Sequence, residues 1–248
     1  MSGAAVITGA ARRIGRVLAV QAARSGYDVA VHHRDSADDA EETAALVRAE
    51  GRKACVLATD LASRDAGGLI GRAEAELGPV TLLVNNASLF IDDRLQSFDV
   101  DTLDAHLATN LRAPALLAQA LAARLPEGRT GCIINILDQR VWRPNPQFFG
   151  YSLSKAALWH ATQTMAQALA PRIRVNAIGP GPTLGSVHQA PGEFELEAAG
   201  TPLGHSVSPG EIAAALRYLI DAPSVTGQMI AVDSGQHLGW LTPDIIHP

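Results

Sequence analysis

A chain of 248 residues that is 47% apolar, mostly Ala, Leu and Val, can fill the core of one large α/β domain, here expected to span 1–248. A formal net charge of −5 leaves no basic footprint for nucleic acid or an anionic membrane. No apolar run reaches the roughly 18 residues of a membrane span, and the amino terminus enters a strand without a basic segment or cleavage site, so the expected location is the cytoplasm.

Strand and helix patterns alternate along the chain, which predicts a parallel sheet with helices on both faces. Residues 4–8 read as a short apolar strand and 13–25 as a helix stopped by Gly26. The turn between them, Thr8-Gly9-Ala10-Ala11-Arg12-Arg13-Ile14-Gly15, aims backbone N–H groups and a helix N-terminus at an anion. Gly9 permits close backbone approach and Gly15 tight helix–strand packing. The turn is not the G-x-G-x-x-G pattern, because Arg13 stands where a third glycine might be expected. It reads as a pyrophosphate cradle reinforced by an arginine, against the plainer reading of a tight turn with two solvated arginines.

The second strand covers 28–32, and a helix runs from Ser36 or Ala37 to Glu50, with Ser36 available as its cap and Gly51 ending it. The strand end, His32-His33-Arg34-Asp35-Ser36, bears on cofactor type. A ribose diol would call for an acid at the strand end, whereas Arg34 with Ser36 can meet a 2′-phosphate, so NADP(H) is expected. Asp35 dissents unless it caps the helix, and His32 and His33 read as strand and rim residues. A third strand over 53–58 ends in Thr59-Asp60-Leu61, where Asp60 can accept from an adenine amino group or serve as an ordinary turn residue. A helix over 65–77 and a strand over 81–85 follow. Asn85 and Asn86 then stand at the carboxyl edge where open α/β sheets bind ligands, which favours cofactor contact over a turn role. Phe90, in a chain only 4% aromatic, can present a ring face to a flat ligand or simply pack its loop.

A long helix is expected over 101–125, with Asn110 as a polar break in its apolar pattern, then a strand over 131–137 ending at Asp138. Cys55 and Cys132 fall inside expected buried strands as small hydrophobes, with no spacing for a disulfide framework or a metal. Tyr151 and Lys155 head a helix reaching about 170, one turn apart on one face. A phenol titrates near pH 10, and a nearby ammonium would lower that value. A fall to about 7 would need roughly 4 kcal/mol of differential interaction. Tyr151 could then exchange a proton while a hydride moves elsewhere. After a strand over 173–178, Gly179-Pro180-Gly181-Pro182-Thr183 makes a rigid turn. Residues 183–207 read as a substrate-covering loop with a helical patch at 193–199. A last helix over 208–221, with Ser208 as cap, Pro209 first and Glu211 three residues on, precedes a strand over 228–232.

Taken together, the turn at 8–15, Asp60, Asn85-Asn86-Ala87, Asn110, Tyr151-x-x-x-Lys155, Asn176 with Pro180-Gly181, and the closing Thr226-Gly227-Gln228 and Val232-Asp233-Ser234-Gly235 resemble the short-chain dehydrogenases/reductases. The resemblance implies a Rossmann-type, doubly wound, seven-stranded parallel sheet, a nicotinamide cofactor and a homotetramer. It implies that Tyr151 is the acid/base, that Lys155 binds ribose and tunes Tyr151, and that Asn110 supports a water-linked proton relay. Cofactor contacts are implied for Gly9, Arg13, Ile14, Arg34, Ser36, Asp60, Leu61, Asn86, Ala87, Tyr151, Lys155, Pro180 and Gly181.

Most of that superfamily has Ser where this chain has Asp138. An ionised Asp accepts hydrogen bonds only and would repel developing alkoxide charge. Arg13, Asp138 and the run Asn85-Asn86-Ala87-Ser88-Leu89-Phe90 instead resemble the pteridine and dihydromonapterin reductases. That subgroup implies a flat pterin substrate held by Arg13, Ser88, Phe90, Asp138, Tyr151 and Thr183. The pterin's N–H donors would suit a carboxylate acceptor. The reading is an NADPH-dependent reductase of a pterin or similar flat N-heterocycle. The alternatives are a short-chain carbonyl or alcohol oxidoreductase, and a cofactor-sensing protein that has lost catalysis, against which Tyr151 and Lys155 argue.

Overall fold

Runs of Val, Ile, Leu and Ala that are apolar at every position suit strands covered on both faces. The computed structural model describes residues 3–185 and 189–240, and among them runs rich in these residues, with polar positions in several, form seven strands. These are β1 (Ala4–Ile7), β2 (Asp28–His33), β3 (Ala54–Ala58), β4 (Val80–Asn85), β5 (Gly131–Ile136), β6 (Ile173–Pro180) and β7 (Met229–Val232). All pair in parallel in the order β3-β2-β1-β4-β5-β6-β7. The chain winds outward from β1 to β3, then returns to place β4 on the other side of β1. That reversal opens a crevice at the carboxyl ends of β1 and β4.

Helices α1 (Arg13–Arg24), α2 (Ala37–Ala49), α3 (Gly68–Leu77), α4 (Val100–Leu107), α5 (Ala113–Arg124), α6 (Phe149–Leu169), α7 (Glu193–Ala199) and α8 (Pro209–Asp221) complete the main elements. The two-residue side-chain period of β1 splits the core. Ala5 and Ile7 pack with Leu18 of α1, Ala44 of α2 and Leu216 of α8. Ala4 and Val6 pack with Leu69 of α3, Leu117 of α5 and Ala166 of α6. The doubly wound, Rossmann-type sheet read from the sequence is thus present. The box at the start of α8 is also made: Ser208 Oγ accepts from Glu211 N and Glu211 answers the Ser208 backbone.

Two expected helices differ. The helix expected over 65–77 begins at Gly68, and the preceding residues instead form tight turns closed by Gly68 N to Asp65 O and Leu69 N to Ala66 O. The Gly67-Gly68 pair supports a helix poorly. The single helix expected over 101–125 is α4, a wider π turn at Ala108–Arg112, then α5. Pro114 explains the break: it offers no N–H to the carbonyl of Asn110, and its ring crowds that carbonyl. The widened turn carries Asn110.

Candidate active site

The glycine turn at the crevice is built by exclusion. Gly9 adopts a φ of +61°, and a Cβ there would sit 2.9 Å from Ala87 Cα. A Cβ on Gly15 would collide with the Gly9 carbonyl oxygen. Thr8 Oγ1 accepts from the N–H groups of Asn86 (2.9 Å) and Ala87 (3.0 Å), while Asn86 Nδ2 donates to Thr8 O and Gly9 O. The ends of β1 and β4 are therefore one hydrogen-bonded unit. Asn85, expected at the cofactor, is instead buried and donates to Asn135 Oδ1 at 2.8 Å, because its side chain alternates to the covered face of β4.

His32 also supports the turn. Its Nδ1 accepts from Gly9 N at 3.0 Å and its Nε2 lies 3.0 Å from Thr59 O. A carbonyl only accepts, so Nε2 carries the proton and the ring is neutral. Burial, first of all, pushes its pKa down to about 4. The unfolded chain therefore binds more protons here between pH of about 6.5 and 4, and stability falls as pH drops through that window, by at most about 3 kcal/mol. Urea midpoints measured between pH 7 and 5 should fall in the parent protein, and the fall should be shallower in His32→Gln; an equal slope in both would remove His32 from the account.

Two adjoining cavities occupy the crevice. The smaller, of about 450 Å³, is lined by Gly9, Arg34, Asp60, Leu61 and Ala87. The larger, of about 770 Å³, is lined by Phe90, Asp138, Tyr151, Lys155, Gly181 and Thr183, and by Pro180 beside them. Arg13, Ile14, Asn86 and Ser88 line both. Ser36, expected beside Arg34, is not among the residues lining either cavity; its N–H donates to His33 Nδ1 and its hydroxyl does not cap α2. Asp35 does not cap that helix either, since it pairs with the exposed Arg34. Asp60 has the turn role that was its alternative, its Oδ1 accepting from Ala62 N at 2.9 Å, while still facing the smaller cavity. Arg13 spans the crevice, donating to Leu184 O and Gly185 O at 3.0 Å each.

At the floor of the larger cavity, Asp138 follows β5 and caps a short 3₁₀ turn, its Oδ1 accepting from Arg140 N at 2.8 Å. Its Oδ2 accepts from Tyr151 Oη at 2.8 Å. Lys155 is buried and donates to Ile136 O at 2.7 Å. Burial raises the Asp138 carboxyl and, with the Asp138 charge, raises Tyr151 well above its usual value. Burial lowers Lys155 to about 8, against the opposing pull of Asp138. The phenol expected to be lowered by Lys155 is thus held protonated: burial disfavours its ionised form, the Asp138 carboxylate holds the hydroxyl, and the Lys155 ammonium, 5.6 Å from the ring centroid, donates to a carbonyl instead. Asn110 is buried outside the cavity lining. It accepts from Leu89 N and donates to Leu89 O and Ser154 Oγ, tying the Phe90 segment to α6.

Phe90 lies edge-on to Tyr151, with centroids 4.6 Å apart and planes at 81°. One of its faces is covered by Phe148, stacked at 4.1 Å and 12°. Phe148 adopts φ 52° and carries the Arg140 guanidinium 5.1 Å from its ring centroid. Neither Phe148 nor Arg140 was identified from sequence; the scarcity of aromatic residues was the available signal for Phe148. Leu184, Phe194 and Glu197 of the expected covering loop line the larger cavity, and α7 forms where the helical patch was read. Positions 186–188 of that loop, like 1–2 and 241–248 of the expected domain span, lie outside the described residues. Among the described residues no helix is long and apolar enough to cross a membrane.

Comparisons with known proteins agree with this fold. The family model described as short chain dehydrogenase matches residues 3–194. A crystal structure of FolM alternative dihydrofolate reductase 1 from Brucella suis in complex with NADP superposes with a TM-score of 0.94 at 48% identity, covering 98% of each chain. An uncharacterized oxidoreductase of Mycobacterium tuberculosis is 35% identical over 239 residues, 93% of this chain and 90% of its own. A 3-oxoacyl-[acyl-carrier-protein] reductase of Staphylococcus epidermidis is 31% identical over 244 residues, 96% of this chain and 100% of its own. With a dinucleotide-type turn at the β1–β4 switch point and Tyr151 and Lys155 beside it, this chain belongs to the short-chain dehydrogenase family.

Proposed function

We propose that the protein is an NADPH-dependent oxidoreductase that transfers hydride to a dihydropterin or a similar flat N-heterocycle. The observation that carries this reading is the 2.8 Å bond from the Tyr151 hydroxyl to the Asp138 carboxylate, at the floor of a cavity walled by Phe90. The similarity to FolM alternative dihydrofolate reductase 1 in complex with NADP supports it.

The residues fit a dinucleotide. Without a Cβ at Gly9 and Gly15 the turn packs directly against Ala87 and its own backbone, which sets the N-terminus of α1, at Arg13 and Ile14, against the smaller cavity where a pyrophosphate would lie. Gly9, Ile14, Leu61, Asn86 and Ala87 would hold the cofactor along the smaller cavity, with Arg34 at a 2′-phosphate. Lys155, Pro180 and Gly181 would hold its reactive end in the larger one. NADPH, when bound, supplies the hydride.

The chain's own part is the proton. Reduction of a C=N bond needs a proton at nitrogen, and Tyr151, held protonated by burial and by Asp138, has one to give. Asp138 accepts from the phenol and from N–H donors of the heterocycle. Lys155 keeps positive charge beside the phenol as it ionises. Arg13, Ser88, Phe90 and Thr183 would bound the flat ring.

Purified protein given dihydropterin should consume NADPH, followed by loss of nicotinamide absorbance, well above the rate with NADH. Turnover of ketones or alcohols with none of pterins would select the alternative, an NADP-dependent carbonyl or alcohol oxidoreductase, which the 3-oxoacyl reductase relatives favour. Absence of any hydride transfer would leave a binding protein.

A further inference from the structure

The helix that carries Tyr151 begins badly by local criteria. The residue at its cap position, Phe148, is in the left-handed region and offers no side-chain acceptor, and the first turn holds no acidic residue. The first N–H groups of a helix need partners, above all where they are buried. A distant residue supplies them. Asp93 is 8% exposed, and its two carboxylate oxygens accept from Gly150 N at 3.1 and 3.0 Å. Its backbone carbonyl also accepts from Phe149 N at 3.4 Å.

Asp93 lies three residues after Phe90, on the segment between β4 and α4. The same segment is already tied to α6 one turn further along through Leu89, Asn110 and Ser154. The carboxylate can reach the helix end only because residue 150 is Gly. A Cβ there would sit 2.8 Å from Asp93 Oδ2 and 3.0 Å from His106 Nδ1. His106 is itself fully buried, and its Nε2 accepts from Ile91 N, bracing the segment between Phe90 and Asp93.

We infer that Asp93 is a positioning residue for the reaction: its carboxylate caps the helix bearing Tyr151 and holds it in register with the loop bearing Phe90. The inference rests on Tyr151 being the proton donor of the proposed reading, and not on which acceptor is reduced. A carboxylate serves both as partner for the orphan N–H and as negative charge at the positive end of the helix. Displacement of a reacting group by about 1 Å can cost about 100-fold in rate, so loss of this contact should appear in kcat rather than in cofactor affinity.

The test compares Asp93→Ala, Asp93→Asn and Gly150→Ala with the parent protein. Steady-state kinetics use dihydropterin, or a ketone if that is what the parent protein reduces, and NADPH affinity is measured by fluorescence titration. Asp93→Ala should lower kcat by at least about 10-fold with the NADPH Kd within about two-fold. Asp93→Asn keeps an acceptor oxygen and should return kcat to within about three-fold of the parent. Gly150→Ala leaves Asp93 in place but pushes its carboxylate away, and should reproduce the Asp93→Ala loss. Parental kcat in Asp93→Ala, or an equal loss in Asp93→Asn, would overturn the inference. If Asp93→Ala is insoluble, parental kcat in Gly150→Ala overturns it. A parent protein active on ketones alone would remove the pterin reading and leave this comparison intact.

Discussion

Tyr151→Phe is expected to lower the rate of NADPH oxidation by about 10²–10⁴-fold while leaving NADPH affinity nearly unchanged. The substitution removes one oxygen and keeps the ring, so the edge contact with Phe90 at 4.6 Å survives. What disappears is the proton donor, together with the partner of Asp138 Oδ2. A single-turnover measurement separates the two consequences, because a lost proton donor slows the chemical step and a distorted site would weaken binding. A smaller stability cost, about 1–3 kcal/mol, should accompany the change as a poorly solvated acceptor loses its donor. In the parent protein the rate should decline as pH rises through about 8, where the buried Lys155 loses its charge. A Tyr151→Phe enzyme within about 10-fold of the parent rate would remove Tyr151 from the proton path.

The second large effect belongs to Asp138. Asp138→Asn keeps the shape but replaces one acceptor oxygen with a donor NH₂ group. It should cost about 100-fold or more in kcat/KM on dihydropterin, since both the phenol and the heterocycle's N–H groups would face a weaker acceptor. Asp138→Ser should act in a different direction. It supplies a hydroxyl that can donate to a carbonyl oxygen and removes the negative charge that opposes an alkoxide. The ratio of kcat/KM for a small ketone to that for dihydropterin should therefore rise, by about 10-fold or more. The two substrates assayed side by side with each variant check this. Unchanged preference in Asp138→Ser would mean that the carboxylate does not select the acceptor.

Much of this architecture is legible in local residue patterns. The runs Ala4 to Ile7 and Cys132 to Ile136 are apolar at every position save Asn135, which is what a strand covered on both sides requires. Gly9 and Gly15 announce a turn where backbone must approach backbone. Asp138, Tyr151 and Lys155 were each identified, and the fold brings them into one cavity. The direction of the Tyr151 shift was not legible, because it depends first on how deeply the fold buries the hydroxyl and then on the carboxylate that accepts from it. That is a matter of side-chain direction across β5 and α6, not of spacing along one helix. Phe148, His32 and Asp93 escaped for the same reason: each acts on a partner 23 or more residues away, through space.

The return of the chain to β4 beside β1 also divides the crevice by ancestry of sequence. Arg34, Asp60 and Leu61, which line the smaller cavity, come from units wound before the return. Asp138, Tyr151, Lys155 and Thr183, which line the larger, come from units wound after it. The smaller cavity also takes Ala87, Leu89 and Thr109 from beyond the return, and the wall shared by both is short, Arg13, Ile14, Asn86 and Ser88. Substitutions that retune one chamber need not disturb the other, since residues that share no partners change a protein nearly independently. The winding therefore makes the molecule modular to variation: one half of the chain can drift in what it grips while the other drifts in what it reacts with.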